Sequence, residues 1–238
     1  MIRGSNSPVK GWHEWIRKGM WIGACVLVLV ASNVEGFCSD ETDTKLWMGQ
    51  EISHGISERL SLKLEFNERF YNDISSWEEL YLDTGIDYKL TEWLVLGPRY
   101  RCVKARFRSE DEVTENRLHM NIELIARLRR VSFESRSRFE YRSFEDGSIK
   151  HRFTERVKMA VPLGWKIVDR RLEAYVSDEL YYDIDDHEAN NNENHLGIKL
   201  PLSERFSLKL YYGHEIKKRE GQWNFHTHII GITAGFKV

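Results

Sequence analysis

Few cysteines, no excess of either charge and no apolar run long enough for a membrane helix set the outer bounds of this 238-residue chain. Of three cysteines, Cys25 falls in an N-terminal export segment, and the remaining Cys38 and Cys102 do not make a disulfide framework. Lys and Arg number 35 against 37 Asp and Glu; setting aside Arg3, Lys10, Arg17, Lys18, Glu14 and Glu35 leaves 31 and 35, a net charge of −4. So balanced a chain offers no basic footprint for nucleic acid. Beyond Ala31 nothing approaches the roughly 20 apolar residues that a helical span requires, although 41% of the chain is hydrophobic. A helical membrane protein is excluded. No Gly-x-Ser-x-Gly elbow marks a nucleophile either.

What is present begins with an export signal. Arg3, Lys10, Arg17 and Lys18 form a basic start, Met20 to Ala31 is unbroken apolar sequence, and Ser32 to Gly36 is small and polar. Cleavage is expected after Gly36, with Val34 and Gly36 at the recognised positions; a retained signal anchor is the alternative. Glu35, Gly36 and Phe37 do not suit a lipoprotein site at Cys38.

The mature chain alternates. From Arg117 to Arg129, Leu118, Met120, Ile122, Leu124, Ala126 and Leu128 fall on one face of an extended strand. Arg117, His119, Asn121, Glu123, Arg127 and Arg129 fall on the other, with Ile125 the one exception. The same rhythm runs through Leu60–Asn67, Glu79–Leu90, Leu94–Cys102, Val131–Arg142, Arg152–Val161, Leu172–Leu180, Leu196–Leu200, Phe206–Tyr212 and Ile230–Phe236, with a weaker start at Leu46–Ser53. That makes about eleven strands of around ten residues, the length of a tilted membrane strand. Leu90–Trp93, Arg129–Arg130 and Pro201–Arg205 are tight turns, assigned to the periplasm. Asn72–Ser76, Arg108–Glu115, Asp183–Glu193 and Lys217–Gln222 are longer and polar, and Asp183–Asn194 in particular reads as a solvated external loop. Trp47, Trp77, Trp93, Trp165, Trp223, Tyr88, Tyr182 and Tyr212 fall near strand ends, where an interfacial aromatic belt belongs.

In this order of elements, Trp47, Glu65, Arg69, Gly85, Tyr88, Tyr100-Arg101, Arg117, Arg138-Phe139-Glu140-Tyr141-Arg142, Arg152, Pro162-Leu163, Glu179 and Tyr211-Tyr212-Gly213 resemble the bacterial outer-membrane barrels catalogued as domain of unknown function 2490. The resemblance covers Leu46 to Val238 and implies fold and location, with no catalytic residues. Outer-membrane strands commonly finish on an aromatic residue used in assembly; here Phe236 is followed by Lys237 and Val238.

The expectation is an all-β protein: a signal peptide over residues 1–36, a flexible segment over 37–45, and over 46–238 a transmembrane antiparallel up-and-down β-barrel of ten to twelve strands in the bacterial outer membrane. Both chain ends in the periplasm require an even strand count. Either Asp40–Ile56 hides a strand, or two segments are one, or the weak first segment lies outside the wall. The rival is a soluble periplasmic β-barrel that turns its apolar faces inward around a small hydrophobic ligand.

The functional lead is the ionic face. By alternation Arg99, Arg101, Arg117, Arg127, Arg136, Arg138, Arg142, Arg152, Arg156 and Lys158 project into the lumen with Glu123, Glu134 and Glu140, while Glu79, Asp83, Asp87, Glu173 and Glu179 gather separately. The favoured reading is a packed ladder of paired charges; the sharper one is a narrow anion-preferring pore. His119, and His226 with His228 on one strand face, are the histidines to test, but no third metal ligand accompanies the pair. Neither catalysis nor a cofactor is expected. The expected partners are outer-membrane lipid, the barrel-assembly machinery during biogenesis and a small solute, and no nucleic acid.

Overall fold

A computed structural model describes residues 42–106, 112–219 and 221–238. The export segment lies outside them. Eleven strands follow one another: β1 (Thr42–Gly55), β2 (Leu60–Tyr71), β3 (Ser76–Lys89), β4 (Leu94–Arg106), β5 (Glu112–Leu128), β6 (Val131–Phe144), β7 (Ile149–Ile167), β8 (Arg170–Asp183), β9 (Glu188–Pro201), β10 (Phe206–Arg219) and β11 (Gln222–Lys237). Each pairs with its neighbours in sequence, and β1 meets β11 to close the barrel. The wall starts at Thr42, ahead of the expected Leu46.

The expected even count is not met. An odd number of alternating strands leaves the first and last pointing the same way, so the barrel closes through a parallel pair. It runs from Thr42 opposite His226 to Ser53 opposite Lys237. With that pair in place the described sheet has no open edge to recruit another chain.

The alternation is realised inside out. Leu62, Leu64, Phe66, Leu82, Leu118, Leu124, Leu196 and Ile230 are exposed on the outer wall, while Asp83, Arg101, Arg117, His119, Arg138 and Glu140 are buried in the lumen. Among the described residues the buried apolar cluster is only Tyr81, Val103 and Ala105. This excludes the soluble barrel with an apolar interior. An apolar exterior around a polar lumen is the arrangement a membrane-spanning barrel requires.

One rim carries the turns at 56–59, 90–93, 129–130, 168–169 and 202–205; among the described residues the opposite rim carries those at 72–75, 145–148 and 184–187. The expected grouping of turns holds, but the expected contrast in length does not. In place of the long loop over Asp183–Asn194 there is a turn at 184–187, after which Glu188 to Asn194 belongs to β9. Likewise β5 starts at Glu112 and β10 continues to Arg219. Composition misled because a lumen-facing position is satisfied by a polar side chain: Asn191 and Glu193 continue the inward face begun by His195, and the Asn191 amide donates to Glu215 Oε1 at 3.2 Å. In the 184–187 turn, Asp185 accepts the His151 backbone N–H at 2.6 Å and meets its ring at 3.0 Å. Those bonds hold the carboxyl below its ordinary range.

Trp93, Tyr88 and Trp165 lie exposed near the first rim, Tyr182 and Trp223 near the second. Trp47 departs from the expected belt: it is 4% exposed and turned into the lumen. The outer wall also carries a polar seam. Ser135 and Ser137 donate to the two oxygens of Glu155, each at 2.5 Å. Asn192 donates to Asp178 at 2.9 Å, and Tyr212 meets His228 Nδ1 at 2.6 Å.

Candidate functional site

Inward charges on adjacent strands are about 5 Å apart at their Cβ atoms, within reach of one another's long side chains. In the half of the lumen nearer the start of β1 they lock together. Asp83 on β3 accepts Arg101 of β4 at 2.8 Å and lies 3.3 Å from His119 of β5. On β6, Glu140 binds Arg152 of β7 at 2.7 Å, with Arg138 at 3.5 Å and Arg117 at 3.8 Å. Glu115 takes both Arg117 and Arg142 at 2.7 Å, and Asn121 accepts Arg138 Nε at 2.8 Å. Lys45 of β1 reaches Glu78 of β3 at 2.6 Å and Glu215 of β10 at 3.0 Å, two strands away on either side of its own. Buried ions are tolerated only when paired and hydrogen-bonded, and these neighbouring clusters make up an ionic septum.

The expected stripe is therefore largely brought together, and its counter-ions include, besides Glu134 and Glu140, the acids Asp83, Asp87 and Glu179 that seemed to lie apart. Arg136 reaches over β7 to Glu179 at 2.6 Å, Arg99 binds Asp87 at 2.7 Å, and Arg156 binds Glu134 at 2.5 Å. Arg127 does not join: it is exposed beside the 129–130 turn, where the alternation continues past the enclosed part of the lumen. His119 is lumenal, whereas His226 and His228 face outward and gain His214 from β10, with His226 Nδ1 at 3.2 Å from His214 Nε2. Among the described residues no group of three His, Cys, Asp or Glu is arranged to hold a metal ion. Glu115, Glu193, Lys45, Glu215, Trp47 and three lumenal tyrosines were missed. All sit at inward parity, which was the available signal.

Below the septum the lumen widens into a vestibule of about 520 Å³ that reaches the rim at Ser53, Lys63 and Lys237. Its lining holds eleven Lys or Arg against seven Asp or Glu. Its two sides differ. The β4–β7 side supplies Arg99, Arg136, Arg156 and Lys158; the β8–β11 side, with β1, supplies Tyr175, Tyr181, Tyr211 and Trp47. Two of the tyrosines lie over glycines: Tyr211 is paired with Gly231 and Tyr175 with Gly197. A Cβ at either glycine would run into the ring. The Trp47 ring lies under the Arg69 guanidinium, 3.8 Å away, and edge-on to His195.

A closed wall, an apolar exterior and a charged, ion-paired lumen define a transmembrane β-barrel. The chain belongs to the family described as protein of unknown function DUF2490, which matches residues 44–226. Among solved structures it is similar to a NanC porin, at 13% identity and a TM-score of 0.48, with 82% of this chain and 99% of that one covered. It is also similar to LpxR from Salmonella typhimurium, at 8% identity and a TM-score of 0.43, covering 73% and 83% respectively. No curated protein matches the sequence.

Proposed function

We propose that the protein is a non-catalytic outer-membrane barrel of structural or transport role, whose lumen passes at most a small, anion-preferring leak. The septum centred on Asp83 and Glu140 carries this reading: every guanidinium in it is committed to a buried carboxylate or amide, so a hydrated ion would have to break pairs in order to pass. The positive excess of the vestibule would give whatever passes an anionic bias. Lipid covers the outer wall, and the barrel-assembly machinery is the partner during insertion.

The test is purified protein in a planar bilayer. The intact barrel should be silent or show only small anion-selective steps. Replacing Arg136, Arg138 and Arg156 by Ser should lower the thermal midpoint, because Glu179 and Glu134 lose their closest partners, and a buried charge left unpaired costs roughly 3–5 kcal/mol. Robust channels from the unmodified protein would overturn the sealed-lumen reading.

A further inference from the structure

We propose that the blind vestibule is a binding site for a cyclic, hydroxylated anion of the sugar-acid type. The proposal rests on the sealed-lumen reading, since the septum is the floor of the site.

Three features converge on that chemistry. The first is size: about 520 Å³ lies within the range of small-molecule sites and suits one or two sugar rings. The second is charge that the protein does not itself neutralise. Lys199 and Lys237 line the cavity and form no ion pair with any described residue, and the whole lining is positive by four. The third is the tyrosine side. The Tyr175, Tyr181 and Tyr211 hydroxyls have no hydrogen-bond partner among the described residues, yet they are not sealed off and so open onto the cavity. The Tyr175 and Tyr211 rings lie over the glycines opposite, while Lys158 sits 5.3 Å over the Tyr175 ring and Arg152 5.1 Å over that of Tyr181, so aromatic and cationic groups meet on one wall.

A pyranose presents apolar C–H faces and a rim of hydroxyls. Aromatic side chains with a polar tip suit both. A carboxylate or phosphate on the same ring would be drawn to the lysines and to the arginines of the opposite side, where charge-assisted hydrogen bonds are strong. A simple inorganic anion would use the basic side and leave the tyrosines idle; a neutral sugar would do the reverse.

Isothermal titration of the folded barrel in detergent tests this with D-glucuronate, glucose 6-phosphate, inorganic phosphate and D-glucose as probes. The two acidic sugars should bind, and inorganic phosphate and glucose should each be at least about tenfold weaker, the loss of roughly one good polar interaction. Tyr175→Phe with Tyr211→Phe should weaken the acidic sugars by about tenfold while leaving inorganic phosphate unchanged, and Lys199→Ala with Lys237→Ala should weaken all anions. Gly231→Ala, which drives the Tyr211 ring into the cavity, should reduce binding even though no polar group is removed. Retained heat-modifiable mobility in each variant confirms a folded barrel. Equal binding of phosphate and glucuronate, equal binding of glucose, or no binding of any probe would overturn the proposal. No gradient is involved, so failure here is separate from the bilayer result.

Discussion

Glu123 and Leu124 are adjacent in sequence and face different surroundings: Glu123 lines the vestibule, Leu124 is 47% exposed on the outer wall. Leu124→Arg should impair assembly into lipid vesicles by roughly 1 kcal/mol, less than the midplane penalty, because Leu124 pairs with Leu94 at the start of β4, close to the rim. Glu123→Arg should assemble almost as well as the unmodified chain; equal defects in a folding assay would refute the facing. Parity in the sequence is enough for this much. It does not tell how crowded an inward position is. Asn121 shares parity with Glu123 but is 1% exposed and holds Arg138, so an arginine there would meet a packed cationic neighbour. Trp47 makes the complementary point. It alternates with Leu46 and Met48, so its inward direction was readable, but closeness to a strand end suggested a membrane interface instead.

Strand existence was legible because every segment keeps the two-residue period wherever one side meets lipid. Strand length was less so: β9 begins in Glu188–Asn194, where both faces are polar and hydrophobicity stops marking the wall. Partners across strands were hidden further still, since Arg136 with Glu179 depends on stagger and curvature that no single strand encodes. The turns carry a separate stress. In the two-residue turn between β7 and β8, Val168 has φ of 51° and Asp169 of 59°. Left-handed backbone suits Asn or Gly in such hairpins and is unfavourable for a β-branched residue. Val168 is 71% exposed, so its side chain contributes little packing. Val168→Asn should therefore stabilise the barrel by roughly 1 kcal/mol, visible as a higher urea midpoint in detergent. An unchanged or lower midpoint would mean that the turn is not strained.

At the scale of the molecule the parallel seam between β1 and β11 is the feature that sequence counting treated as an error. Gln50 and Ala234 are partners across it and both face outward. In a background with Cys38 and Cys102 both replaced by Ala, Gln50→Cys with Ala234→Cys should form a disulfide on mild oxidation, detected as a cross-linked peptide by mass spectrometry. Shifting one partner by a residue, to Gln50→Cys with Gly235→Cys, should abolish it, because the second thiol then points to the lumen. Cross-linking that ignores this shift would reject the register.

An even-numbered barrel can be reopened at any hairpin and its old ends rejoined, since both lie on one rim. Here β1 begins at one rim and β11 ends at the other. A peptide bridging Lys237 to Thr42 would have to pass through the ionic septum or through the hydrocarbon. Circular permutants of the described barrel are thus forbidden by topology alone, and reporters fused before β1 and after β11 must report from opposite sides of the membrane.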